Sequence, residues 1–399
     1  MTPNSRPLPP APDYDGAHLR HVLSSAAASL GLSGFQNRLE LPEAVTTVVL
    51  MVDGLGDALL ARYSGHARFL ASAWRSSSAR TLDVGVPTTT AASLASLGTG
   101  TTPGEHGLVG YDILSPELDR IVNMLGGWDP EVDPEQWQPH PSVLQRAVEA
   151  GTEVLTASRP KFVDSGLTQA VLRGGDFRGA ARMDARFALT AEWIQQQRPA
   201  RGALRQGPAP RQLVYLYVDE LDKTGHRYGV DSPQWLQMLE TLDAEAERFT
   251  AGLRRAYGDQ VSVLLTADHG MVDITPENRL DYSAQAQLLE GVRHTGGEPR
   301  LVQLYAEPGA EPASIAAAWE QEYGDRAWVL TREQARTAGW FGPVDDRVSA
   351  RIGDVLVATH SDIALYHCDR VGLSPMDMIG QHGSLTEAER RVPLLRLGG

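Results

Sequence analysis

Three short apolar runs constrain this chain more than any other feature. They are Thr47-Val48-Val49-Leu50-Met51-Val52, Leu213-Val214-Tyr215-Leu216-Tyr217-Val218 and Val261-Ser262-Val263-Leu264-Leu265-Thr266. All are rich in β-branched or aromatic side chains, with little alternation between apolar and polar positions. A strand of that kind is covered on both faces, as in a parallel sheet sandwiched between helices. Every run also leads into acids: Asp53 after the first, Asp219 and Asp222 after the second, Asp268 after the third. Open α/β sheets bind ligands beyond the carboxyl ends of their strands, so the pattern predicts that these acids gather at one edge.

The intervening chain supplies the helices. Pro141 to Ala150 is amphipathic and stopped by Gly151, and Val154-Leu155 starts another strand. Ala180 to Gln197 reads as a helix, followed by a Gly/Pro/Arg-rich connector from Ala200 to Arg211. Ser232-Pro233 has the form of an N-cap with proline at the first helical position. Behind it Leu236, Leu239, Leu242, Ala246, Phe249 and Leu253 recur at three- and four-residue steps until Gly258. The expected fold is therefore α/β, layered α/β/α, with a mostly parallel central sheet. Residues 1–40 are expected to form an N-terminal extension, Pro-rich to about residue 14, with a first helix. Residues 41–270 and 351–399 would form the core. Pro/Gly breaks and Trp319, Trp328 and Trp340 mark 271–350 as an inserted cap or lid.

Charge and cysteine content narrow the partners. The 399 residues carry a formal net charge of -14, which argues against a nucleic-acid polymer. Phosphate remains a reasonable ligand where metal ions supply local positive charge. Cys368 is the only cysteine, so neither an intrachain disulfide nor a cysteine-based zinc cluster is available. Its simplest reading is a small buried hydrophobe. A lone thiol, an N-terminus without an apolar signal region and the lack of any run near membrane-spanning length lead to the expectation of a cytoplasmic protein.

The chemistry-bearing residues each have a plain explanation when taken alone. Asp53-Gly54 is turn chemistry. Pro87-Thr88-Thr89-Thr90-Ala91-Ala92-Ser93 includes a helix cap. Asp222 and His226 are spaced for a surface hydrogen bond, and His382 lies in a glycine-flanked loop. Asp268-His269-Gly270 is sharper, because two metal-binding side chains in tandem at a strand end are unusual for a turn. Together they gain force, since aspartate and histidine are suitable ligands for zinc-like ions in a cysteine-poor protein. A threonine hydroxyl such as that of Thr90 needs a base or a cation beside it to attack at neutral pH. Two divalent ions would balance Asp53, Asp222, Asp268 and a Thr90 alkoxide, with His226, His269 and His382 neutral.

In chain order, Asp53, the Pro87–Ser93 block, Thr99-Gly100-Thr101-Thr102-Pro103-Gly104-Glu105-His106-Gly107, Asp222-Lys223-Thr224-Gly225-His226, Asp268-His269-Gly270 and His382-Gly383 resemble the alkaline phosphatase superfamily. Within it the type I phosphodiesterase/nucleotide pyrophosphatase family is the nearest likeness. The resemblance implies that Asp53, Thr90, Asp268 and His269 hold one divalent ion, and Asp222, His226 and His382 a second. Zinc is the expected ion and manganese the alternative. It selects Thr90 over Thr88 and Thr89 as the nucleophile and makes His106 structural. The implied reaction is cleavage of a phosphodiester or pyrophosphate bond through a threonyl-phosphate. The partner would be a small phosphate ester, with nucleotides among the candidates, and no membrane. Where many members carry a phosphoryl-binding asparagine, this chain has Tyr111 followed by Asp112. Tyr111 is the candidate substrate contact, and Asp112 would repel an anion or take up a metal. The alternatives are a phosphomonoesterase or phosphonoacetate-type hydrolase of the same superfamily, and a non-catalytic metal- or nucleotide-binding relative.

Overall fold

The computed structural model describes residues 6–197 and 210–398. The expected connector at 200–211 falls mostly outside them. The three apolar runs become the strands Thr46–Val52 (β1), Gln212–Val218 (β5) and Val261–Thr266 (β6) of one sheet. Arg80–Asp83 (β2), Glu153–Ser158 (β3), Asp176–Gly179 (β4) and Arg391–Leu397 (β7) complete it. The seven-stranded order is β2-β7-β6-β1-β5-β3-β4, and β7 runs antiparallel to both its neighbours. β1 lies at the centre, in parallel register with β5 on one side and β6 on the other. Every residue of β1, β5 and β6 is buried, as continuous apolar runs require.

The helices follow the same logic. Pro233–Tyr257 starts where Ser232 Oγ accepts from the Trp235 N–H, and Gly258, at φ 61°, ends it. The buried side of this helix carries Leu239, Leu242, Ala246, Phe249 and Leu253. The expected helices near 141–150 and 180–197 appear as Val143–Glu149 and Met183–Gln197. Cys368 is buried and unpaired. Among the described residues, no helix is long and apolar enough to cross a membrane.

A second, six-stranded antiparallel sheet stands beside the first. Its order is Ala327–Thr331, Val355–Thr359, Leu301–Ala306, Val292–Glu298, Asp112–Ser115 and Arg120–Asn123. Trp319, Tyr282 and Tyr323 fill a separate apolar cluster against it. Strands from 112–123 and 355–359 belong to this sheet, so the 271–350 stretch shares it with flanking chain. A cavity opens between this sheet and the carboxyl edge of the first.

Candidate functional site

The carboxyl ends of β1, β5 and β6 converge as the parallel register dictates. Asp53 follows β1 directly, and its backbone N–H donates to the Val218 carbonyl at the end of β5. Asp268 stands two residues beyond β6, where its Oδ1 accepts from the Gly54 N–H at 3.2 Å and the His269 N–H at 3.1 Å. Gly54, at φ 77°, packs where any Cβ would meet Asp222 Cα at 3.2 Å, so this turn needs glycine to bring the end of β1 against the helix that carries Asp222. Asp222 and His226 lie one turn apart on the helix Glu220–Tyr228, with Nε2 of His226 3.2 Å from Asp222 Oδ1.

Thr90 opens the helix Thr90–Thr99, and Gly100, at φ 77°, closes it. Its Oγ1 lies 3.2 Å from His269 Nε2. That nitrogen is also 3.3 Å from Asp53 Oδ1 and 3.4 Å from Asp268 Oδ2. His382 stacks on His269 with ring centroids 3.5 Å apart and sits 3.8 Å from Asp222 Oδ1. Thr88 ties the loop of Thr90 to that of His382: its Oγ1 accepts from the Gly383 N–H and donates to the Ser384 carbonyl. Thr90, Asp53, Asp222, His226, Asp268, His269 and His382 therefore form one cluster. Their ligand atoms include two overlapping groups of metal-binding size, Asp53-Asp268-His269 and Asp222-His269-His382.

Two further observations fit divalent cations. Asp53 Oδ1, Asp222 Oδ1 and Asp268 Oδ2 are buried without hydrogen-bond partners among the described residues. Unpaired buried carboxylate oxygens are costly unless a cation satisfies them. Each histidine also has Nδ1 engaged by a backbone carbonyl: His269 by Gly270, His226 by Gly380 and His382 by Thr88. With Nδ1–H donated outward, every Nε2 presents its lone pair to the cluster, the arrangement that metal-binding imidazoles require. The electrostatics agree. Burial, then Asp268 and Asp222, raise Asp53 well above the usual carboxylate range. Burial opposes charge on His269, yet Asp268, Asp53 and Asp222 push its pKa up to about 10. The clustered carboxylates thus make the centre of the pocket strongly favourable for positive charge.

The structure separates Asp219 from this cluster. Asp219 reaches the cavity, but Arg159 Nε binds its Oδ1 at 2.6 Å and Lys223 its other oxygen, so neither is left for the cluster. His106 turns away as well, with Nε2 3.0 Å from Ser96 Oγ beneath the Thr90 helix. Tyr111 lines the cavity with its ring partly exposed. Asp112 is neither a free repulsive charge nor one of the grouped ligands: Asn123 Nδ2 donates to its Oδ1 at 2.9 Å and Arg370 Nη1 to its Oδ2 at 2.7 Å. Sequence reading missed four residues at this site. Tyr217 OH donates to Asp53 Oδ2, but its place inside an apolar strand disguised it. Glu298 accepts from the Tyr111 N–H at 2.9 Å, and nothing in Gly296-Gly297-Glu298 signals that. Arg370 and Asn123 matter only through a partner more than ten residues away.

A layered α/β core with an acid–histidine cluster at the strand ends and a threonine on the adjoining helix is the arrangement expected of the alkaline phosphatase superfamily. Within it, the model of the type I phosphodiesterase / nucleotide pyrophosphatase family matches residues 47–385, and the chain belongs to that family. Venom phosphodiesterase 2 of Crotalus adamanteus is 25% identical over 202 residues, 50% of this chain and 23% of that protein. Ectonucleotide pyrophosphatase/phosphodiesterase family member 7 of Homo sapiens is 36% identical over 63 residues, 16% of this chain and 14% of that protein. The chain thus spans under a quarter of the length of these relatives. Among solved structures, an inactive variant of murine ectonucleotide pyrophosphatase/phosphodiesterase 5 in complex with AMP superposes at a TM-score of 0.64 and 16% identity, covering 87% of each chain. Phosphonoacetate hydrolase from Sinorhizobium meliloti 1021 with phosphonoformate gives 0.64 and 19% identity, covering 88% of this chain and 89% of that one.

Proposed function

We propose that the chain is a metal-dependent hydrolase of phosphodiester or pyrophosphate bonds that works through a threonyl-phosphate at Thr90. The observation that carries this reading is the set of three buried, unpartnered carboxylate oxygens facing three histidine Nε2 atoms beside one threonine hydroxyl. Asp53, Thr90, Asp268 and His269 would hold one divalent ion, and Asp222, His226 and His382 the other, zinc being the expected ion and manganese the alternative. When bound, such ions lower the pKa of the attacking hydroxyl and neutralise charge on the phosphoryl oxygens.

The chain's own residues supply the rest. Thr90 Oγ1, its proton given up to solvent, attacks phosphorus in line with the departing alcohol or phosphate: the new P–O bond forms as the bond to that group breaks, and a departing alkoxide takes a proton from solvent. Water then cleaves the threonyl ester and restores the hydroxyl. Thr90 is the first residue of its helix, and the preceding Thr89 makes no side-chain cap. The first-turn N–H groups are therefore left for a phosphoryl oxygen, on the positive end of the helix dipole. Lys161 lines the same cavity and adds positive charge toward an anionic substrate, whereas the charge of Lys223 is balanced by Asp219. Tyr111 would contact the substrate from the opposite wall, and residues 271–350 would act as a cap, since Tyr282, Glu298 and Val302 face the cavity.

A small phosphate ester is the proposed partner, with nucleotides among the candidates because the related murine structure holds AMP. The phosphonoacetate hydrolase of the same fold supports a second reading as a phosphonate hydrolase. Assaying the metal-loaded protein on a phosphodiester, a phosphomonoester and phosphonoacetate side by side separates the two. Fastest turnover of the diester supports the first reading. Turnover of phosphonoacetate alone replaces it with the second. Two bound ions with no turnover of any of the three would make the chain a metal- or nucleotide-binding relative.

A further inference from the structure

Four carboxylate oxygens are buried without a hydrogen-bond partner among the described residues. Three belong to the grouped ligands Asp53, Asp222 and Asp268; the fourth, Oε1 of Glu298, does not. Glu298 ends the strand Val292–Glu298 of the second sheet and borders the same cavity as Thr90 and His382. Its Oε2 accepts from the Tyr111 N–H at 2.9 Å. The rest of its side chain lies on the turn that follows His382. A Cβ placed on Gly383 would stand 2.4 Å from Glu298 Cγ and 3.3 Å from its Oε1. Gly383 is bound in turn to Thr88, whose Oγ1 accepts from its N–H and whose own N–H donates to its carbonyl. The free oxygen of Glu298 is thus held beside the turn that joins the His382 loop to the Thr90 loop.

We infer that Glu298 is a phosphoryl-binding residue, a neutral carboxylic acid whose Oε1–H donates to an oxygen of the transferred group. The inference rests on the reading of the cluster as a phosphoryl site. An ionised carboxylate in this place would repel that group, and its surroundings supply no free counter-ion. Arg300, two residues along, holds both oxygens of Glu389 through Nε and Nη2, and Arg370 holds Asp112. A carboxyl group with one oxygen already accepting an N–H carries its proton on the other, so Oε1 is the donor. The electrostatics support the neutral form. Burial, against the Tyr111 N–H, raises the pKa of Glu298 well above the usual carboxylate range; Asp112 and Glu389 add to the rise and His269 opposes it. A neutral acid is also cheaper to bury without a partner than a charge. Fixed by its strand end and by the Tyr111 backbone, it is a donor aimed in advance at charge that develops on phosphoryl oxygens. With Arg370 taken up by Asp112, Glu298 gives the second-sheet wall a donor of its own.

The test is calorimetric titration of inorganic phosphate into the metal-loaded full chain and two variants. Glu298→Leu keeps the bulk and removes the donor, and should weaken binding about tenfold or more. Glu298→Gln can accept from Tyr111 with its oxygen and donate with its nitrogen, and should recover most of that loss. A difference infrared spectrum of the phosphate-bound parent against Glu298→Gln should contain the carbonyl band of a protonated carboxyl group. That readout needs only Glu298→Gln to fold. Unchanged affinity in Glu298→Leu, a loss in Glu298→Gln as deep as in Glu298→Leu, or a carboxylate band in place of the acid band would each overturn the inference. So would failure of the parent to bind phosphate. The outcomes separate from those of the proposed reaction. Diester turnover with phosphate affinity indifferent to Glu298 removes only this role. The expected contrast between the two variants without turnover of any phosphoester removes only the reaction.

Discussion

The two walls of the cavity are built on different principles. The side formed by the ends of β1, β5 and β6 is assembled by rules that local sequence announces, an acid placed by a strand end and a histidine one helical turn from its partner, and then locked by backbone carbonyls, one adjacent to its histidine and two far along the chain. The side formed by the second sheet is assembled by pairs distant in sequence, such as Asp112 with Arg370 and Glu298 with Tyr111. The first wall gathers the grouped acids and histidines; the second arranges paired charges around the cavity they face. Substitutions on the first should therefore abolish chemistry or metal binding, and those on the second should tune affinity or stability. Thr90→Ala is the sharpest case. Turnover should fall at least about a thousandfold, while metal analysis still finds two ions, because the remaining ligands are untouched. Near-normal turnover would erase the distinction between the walls.

His382→Ala should release one ion selectively, since among the described residues its Nε2 is the only imidazole nitrogen besides those of His226 and His269 near Asp222. Two tightly held ions in that variant would count against the proposed ligand set. Tyr217→Phe probes the same wall more gently. The phenol fixes one oxygen of Asp53 and leaves the other facing His269. Removing such a support typically weakens metal binding about 10- to 100-fold. Competition with a chelator measures the loss, and an unchanged affinity would show that Asp53 needs no help from β5.

This division also explains what was legible in the sequence. The parallel sheet could be read because buried strands leave uninterrupted apolar runs, and the long helix because Ser232 and Gly258 bracket a regular apolar stripe. The strand-end acids could be placed because topology puts all parallel carboxyl ends at one edge. Asp219 shows the limit of that rule: position brought it to the edge, but Arg159 and Lys223 claim its oxygens. The second sheet was illegible because its strands are short and their partners lie up to about two hundred residues apart, as Gly297 with Asp112. Asp112 looked like a repulsive charge because Arg370, its counter-ion, has no sequence relation to it.

The second wall yields smaller effects. Arg370→Ala strips Asp112 of one hydrogen-bonded cation and turns its charge toward the anionic substrate. KM should rise about tenfold with little change in kcat, and adding Asp112→Asn should recover most of it. Equal damage to kcat would place Arg370 in the chemistry and blur the contrast between the walls.

Glu298→Gln should act on stability, with a sign that depends on pH. Glu298 is buried, and one of its oxygens has no hydrogen-bond partner among the described residues. Burial, against the Tyr111 N–H, raises its pKa well above the usual carboxylate range. The folded chain therefore keeps the proton that the unfolded chain gives up near pH ~4.3. Stability from this group is complete below that value and is lost as pH rises toward the folded-state pKa. Glutamine stays neutral throughout and keeps an oxygen for the Tyr111 N–H. In metal-free protein, the Tm of Glu298→Gln should therefore match that of the parent at acidic pH and pull ahead by a few degrees as pH climbs from about 5 to 8. A constant gap across that range would mean that Glu298 ionises in place, and that the second wall, like the first, holds a buried negative charge in wait for a cation.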